Sequence, residues 1–241
     1  MCGRTSLSSA PDDLREVFGL DQVPELTPHY NVPPSQPVAV VRVLRGSPSR
    51  KMDLVRWGLL PAWADDPKLG HKLALARVET VMTTPAFRDA IRRRRCLVVV
   101  DGFYEWKRDG AGSKGKGPSQ PFFLRRPDRA PFALAGVWER WVSRDGEVVE
   151  SAAILTQPAL PPADAVHDRM PIVLQKPEWD RWLDPSLDDP SPMLGPHAAD
   201  LELYPVSPHV NDPRHDDPAC IEPAKDTEPA KDTEPAQKSL F

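Results

Sequence analysis

Cys2 follows the initiator methionine in the opening MCGR, and cysteine is small enough for methionine aminopeptidase to remove the residue ahead of it. A chain that begins at Cys2 carries an α-amine and a thiol on one residue. Their ordinary pKa values, ~8 and ~8.5, leave both partly nucleophilic near neutral pH. An ordinary residue at a frayed terminus accounts for the same four letters. Two further groups could work beside such a nucleophile. Glu105 lies between Tyr104 and Trp106 at the end of CLVVVDGFYEW, and a carboxylate among aromatic rings tends to a raised pKa, suited to proton transfer. The alternative is an edge-strand glutamate facing water. His167, in AVHDRMPIVL, stands beside Asp168 and Arg169, where a neighbouring charge tunes an imidazole as a general acid.

These side chains must be positioned by elements whose signals alternate along the chain. PDDLREVFGL reads as a helix with proline and acids at its start, and TTPAFRDAIRRRR as another, capped by Thr83 or Thr84 with arginines at its C-terminal end. QPVAVVRVL, MDLVRWGLL, CLVVVDGFYEW, QPFFLRR, PFALAGVWERW, ESAAILT and MPIVLQ read as strands. RDGAGSKGKGPSQ reads as an exposed hairpin loop. HYNVPPSQ sets Asn31 in a rigid, proline-bounded loop ahead of a strand. In RWGLLPAWADD, Trp57 alternates with core residues, whereas Trp63 offers a surface on which a base could stack. The pattern predicts an α+β domain with a curved, mostly antiparallel sheet closing towards a barrel and flanked by short helices.

Composition sets the outer limits. With 241 residues, 40% of them hydrophobic and seven tryptophans, the chain suits a globular core. The start lacks a basic segment followed by an apolar run, and no stretch approaches the ~20 apolar residues of a membrane span, so a cytoplasmic, nucleoid-associated protein is expected. Cys2, Cys96 and Cys220 are far apart, which suggests neither a disulfide framework nor a metal site, and no cofactor is expected. Cys96 reads as a small core residue and Cys220 as part of a polar tail. Residues 212–241 hold eight acidic and four basic residues, leaving the rest balanced at 27 of each. That tail is rich in proline, repeats AKDTEP in tandem and is expected to be disordered. The body is not repelled by nucleic acid, and the run Arg92 to Arg95 is either a solvated helix end or a phosphate-binding patch.

The set MCGR, YNVPPSQ, WGLLPAW, ARVET, PAFRDAIRRRRCLVVVDGFYEW, HDRMP and YPVSPHVN resembles the SRAP family (SOS response-associated peptidase) over residues 2–211. The resemblance implies a single SRAP domain over 1–211 that recognises abasic sites in single-stranded DNA and traps them through Cys2. It assigns His167 to opening of the sugar ring, Glu105 to proton transfer at the amine, and Arg4 and Arg77 to backbone contacts. Asn31, Trp63, Thr156 and His209 join them as DNA-binding positions. A monomer with lyase- or peptidase-like side activities is implied.

One position departs from the family pattern. Where the family has an asparagine two residues before the arginine of ARVET, this chain has Leu75, which can neither donate nor accept a hydrogen bond. The C-terminal QKSLF resembles the short peptides by which bacterial repair proteins dock on the β sliding clamp, with Gln237 at a rim and Leu240 and Phe241 in apolar pockets. Two other classes fit parts of the sequence: an N-terminal-nucleophile amidohydrolase, and a single-strand DNA binder without chemistry, tethered to the clamp.

Overall fold

The structure is a computed structural model describing residues 3–44, 46–47, 49–108 and 119–224. Its strands are β1 (Thr5–Leu7), β2 (His29–Val32), β3 (Pro37–Val43), β4 (Arg50–Trp57), β5 (Leu75–Arg77), β6 (Arg95–Val100), β7 (Gly102–Arg108), β8 (Ser119–Arg125), β9 (Phe132–Val142), β10 (Val148–Pro158), β11 (Arg169–Pro171), β12 (Val173–Leu174) and β13 (Glu202–Pro205). Three short helices, α1 (Pro11–Phe18), α2 (Arg88–Arg93) and α3 (Trp179–Leu183), flank them.

Five strands close on themselves. β3 pairs with β4 and β6, β6 with β9, and β9 with β10, all antiparallel, and β10 completes the ring through a parallel match to β4 at Ser151↔Arg56. A second, wholly antiparallel sheet runs β13-β8-β7-β1-β2. Alternate residues of the barrel strands feed two cores, as the two-residue period of a strand requires. Val41, Leu97, Val99, Ala135 and Leu155 pack under Leu14, Phe18, Trp179 and Trp182 of the helices. Val40, Val98, Leu134 and Ile154 pack with Phe103 and Leu124 of the second sheet. The predicted α+β, barrel-like class is the observed one, made among the described residues by thirteen strands where seven were expected.

Three local readings change. CLVVVDGFYEW is two strands in different sheets. Asp101 breaks it, accepting hydrogen bonds from the backbone and hydroxyl groups of Ser8 and Ser9. Gly102 then lies so close to β8 that a Cβ would sit 2.2 Å from the Phe123 ring. The second helix starts at Arg88, because the Thr83 and Thr84 hydroxyls bond back to the Thr80 carbonyl instead of capping it. The segment expected to begin a disordered tail at 212 is packed on the domain as far as Ala224. Cys220 is wholly buried there, Val206 bridges Pro223, and the Ala224 N–H reaches the Pro205 carbonyl. No helix among the described residues is long and apolar enough to cross a membrane.

Candidate functional site

The amino-terminal strand runs alongside Glu105. Thr5 pairs with Phe103 and Ser6 with Gly102, and the Tyr104 N–H donates to the Arg4 carbonyl at 3.0 Å. Continued by two residues, this register sets Gly3, the first described residue, level with Glu105. Glu105 is 0% exposed and sits opposite Phe122 of β8. The reading of an edge glutamate facing water is therefore excluded. Cys2 lies outside the described residues.

Arg4 is held from behind. Its Nη1 donates to Asn31 Oδ1 at 2.6 Å and to the Val210 carbonyl at 3.0 Å, and its guanidinium lies 5.7 Å from the Trp106 ring. Partial burial lowers its pKa, opposed by nearby Tyr104, Cys220 and Asp212, and an arginine so placed stays charged. Asn31, expected among the DNA contacts, is buried. Its amide nitrogen donates to the carbonyls of Val210, Asp212 and His215, at 3.1, 3.1 and 2.7 Å. Its Oδ1, accepting from Arg4, helps to hold that guanidinium in place. Asp216, which the sequence reading missed, accepts the N–H groups of Tyr30 at 2.5 Å and Asn31 at 3.0 Å and meets His29 Nδ1 at 2.5 Å. Residues 207–224 thus form a strap across β2.

A second group gathers where β10 changes partners. One edge of β10 pairs with β4 at Ser151 and Ala152 and then with β5 at residues 154–156; its other edge pairs with β9 up to Ile154 and then with β11. That exchange brings Arg77, Thr156 and Arg169 together. Arg77 is exposed, in register with Thr156. Thr156, expected as a phosphate contact, is 0% exposed, and its hydroxyl and carbonyl both accept from Arg169 Nη2, at 3.1 and 2.6 Å. It orients Arg169, whose Nη1 and Nη2 also clasp Glu79. These bonds from Arg169 hold the Glu79 carboxyl below its ordinary range. The sequence offered Arg169 only as a charge beside His167, and Glu79 only as a letter in ARVET.

His167 stands two residues before Arg169, with its side chain 22% exposed. Its Nδ1 is 2.9 Å from the Arg169 N–H and 2.8 Å from Asp168 Oδ1. In the neutral ring Nδ1 accepts from that N–H, which assigns the ring proton to Nε2. In the protonated ring Nδ1 donates to Asp168. Leu75 shares a face of β5 with Arg77 and packs, half-buried, against the core beside Ala74 and Ile154.

Trp63 is 59% exposed, on the loop after β4, next to the Ala64 carbonyl that accepts from Trp141 Nε1. His209 is turned to Asp217, with Nε2 and Oδ2 3.0 Å apart. Gln237, Leu240 and Phe241 lie outside the described residues.

The family model for SOS response associated peptidase (SRAP) matches residues 1–213. Abasic site processing protein YoqW of Bacillus subtilis is 37% identical over 229 residues, covering 92% of this chain and 99% of that protein. Abasic site processing protein HMCES of Rattus norvegicus is 29% identical, over 93% of this chain and 76% of its own. Among solved structures, a protein from Bacteroides thetaiotaomicron superposes with a TM-score of 0.77 at 24% identity, covering 93% of this chain and all of that one. One from Bordetella bronchiseptica superposes at 0.71 and 25% identity, over 86% and 100%. With the motif set present from end to end and the same fold in these neighbours, the chain belongs to the SRAP family.

Proposed function

We propose that this protein recognises abasic sites in single-stranded DNA and captures them covalently through Cys2, shielding the lesion during repair. The observation that carries the reading is the wholly buried Glu105 carboxylate, level in the β1 register with Gly3, the residue that follows Cys2 in the sequence. Proton exchange with an amine and a cationic imine is work that suits such a carboxylate.

The chemistry follows from one residue bearing two nucleophiles. The protonated His167 ring, its Nδ1–H held by Asp168, gives its Nε2 proton to the ring oxygen of the abasic deoxyribose as the C1′–O4′ bond breaks, while the hydroxyl on C1′ loses its proton to water, giving the aldehyde. The Cys2 amine adds to that carbon, and water leaves to form an imine. Glu105 passes the protons for addition and water loss and steadies the positive charge; such a role contributes roughly 10²–10⁴ in rate. The thiol then adds to the imine carbon, its proton passing to nitrogen, and closes a five-membered thiazolidine. Amine and thiol are two carbons apart, so ring closure gains the high effective concentration of an intramolecular reaction. Arg4 and Arg77 neutralise phosphates, Trp63 stacks on bases, and the C-terminal QKSLF docks the protein on the sliding clamp.

A specific observation favours a second reading, binding without capture: Leu75 sets apolar surface beside Arg77. Denaturing gel electrophoresis separates the two. The Met-processed protein, mixed with single-stranded DNA bearing one abasic site, is expected to give a heat-stable shifted band that Cys2→Ala abolishes. A complex seen only in a native gel would establish the second reading, and loss of both would overturn the DNA role.

A further inference from the structure

The strap carries a cluster that the reaction above does not use. His209, Asp217 and Cys220 bring one ligand atom each to within 4.8 Å of one another. His209 Nε2 and Asp217 Oδ2 are already 3.0 Å apart, close to the ~3.3 Å that two donors keep across a tetrahedral zinc with ~2 Å bonds. Cys220 is wholly buried and its Sγ rests on the His215 carbonyl at 3.4 Å. The His215 ring is stacked on that of His209, centroids 3.8 Å apart and planes 6° from parallel, and its Nδ1 meets the His209 carbonyl at 2.7 Å. Local caps fix the donors: Ser207 Oγ accepts the His209 N–H at 3.2 Å and Asp217 Oδ1 the Ala219 N–H at 2.9 Å.

We propose that His209, Asp217 and Cys220 form a binding site for a dication of the zinc class. An imidazole, a carboxylate and a thiol together suit zinc or cobalt, whereas magnesium and calcium take oxygen ligands. Three protein donors leave a fourth position for water. It faces solvent, since the His209 and Asp217 side chains are 31% and 49% exposed. On binding, the Cys220 thiol loses its proton to solvent and its sulfur moves from the His215 carbonyl to the metal; the Asp217 carboxylate exchanges its imidazole partner for the ion. The ion would pin the two ends of loop 209–220, whose carbonyls at 210, 212 and 215 hold Asn31 behind Arg4. The spacing H-x7-D-x2-C has no standard signature, and only the folded strap brings the three together.

Cobalt(II) titrated into the metal-free full-length chain tests this directly, with Cys2→Ala to remove the terminal amine-thiol chelator. One equivalent is expected to produce a near-ultraviolet thiolate-to-cobalt charge-transfer band and tetrahedral visible bands, displaced by zinc. Cys220→Ser should abolish the charge-transfer band. The surface change His209→Ala should weaken cobalt binding roughly tenfold or more with the circular dichroism spectrum unchanged. A folded protein that shows no band at stoichiometric cobalt, or a band that survives both substitutions, overturns the site.

Discussion

Replacing Leu75 with asparagine tests the one position where this chain leaves the family pattern. The leucine packs half-buried against the core, so Leu75→Asn is expected to cost about 1–2 kcal/mol of stability through lost apolar burial. A regained hydrogen bond near the sugar is worth about 1 kcal/mol, so single-turnover crosslinking should accelerate by roughly fivefold. A folded variant with an unchanged rate would show that the amide has no work at this position. Around Leu75, the sequence told which residue types matter more readily than what they touch. The flanks of Glu105 and His167 already suggest acid-base chemistry. The partners of Asn31 and Thr156 were not legible because they are remote: Asn31 bonds to Val210, 179 positions away, and Thr156 to Arg169 in another strand. Burial at such a position is decided by what packs over it, and a local stretch of sequence does not contain that.

The strap over β2 behaves as an element although it contains no long helix or strand. Asp216→Ala removes the acceptor of the Tyr30 and Asn31 N–H groups, and leaving such donors unmatched costs about 1–3 kcal/mol. The melting temperature should fall accordingly, and hydrogen exchange at the Asn31 amide should quicken more than exchange in the barrel strands. Unchanged exchange at Asn31 would mean that the Asn31 side-chain bonds hold the strap alone. Proline and acidic residues made this segment read as a disordered tail, yet they are what order it. Asp212 accepts the Arg214 N–H, Asp217 the Ala219 N–H, and prolines at 208 and 218 begin two tight turns. Composition counts those residues as solvating; only their spacing shows them bonding their own backbone. The strands were legible for a different reason, their apolar alternation. What alternation could not show was the break at Asp101, because both halves of CLVVVDGFYEW are buried, in separate sheets.

At the scale of the whole molecule, closure of the barrel through the parallel β4–β10 pair was invisible in the sequence, since a two-residue period does not say which strands are neighbours. Closure has a consequence that is measurable without DNA. It seals Cys96, opposite Gly136 of β9, at 0% exposure, and burial pushes its thiol pKa up; burial does the same to the Tyr104 phenol. Both groups stay protonated in the folded protein at pH values where the unfolded chain ionises them. The unfolded state then binds fewer protons, so stability is intact below about pH 8 and falls as pH rises, by up to about 1.4 kcal/mol per pH unit for each group. The acid side has the opposite sign. Burial alone would raise Asp53, but bonds and charge from Lys51 and Arg42 outweigh it and hold the carboxyl below its ordinary range. Its contribution is present above about pH 4 and lost as pH falls further. Urea unfolding between pH 3 and 10 should therefore show a plateau with two falling limbs. Cys96→Ala should lower the plateau through the lost sulfur and flatten the alkaline limb by up to about 1.4 kcal/mol per unit. An alkaline limb of unchanged slope would mean that the thiol ionises as easily in the folded chain as in the unfolded one, which a sealed barrel does not allow.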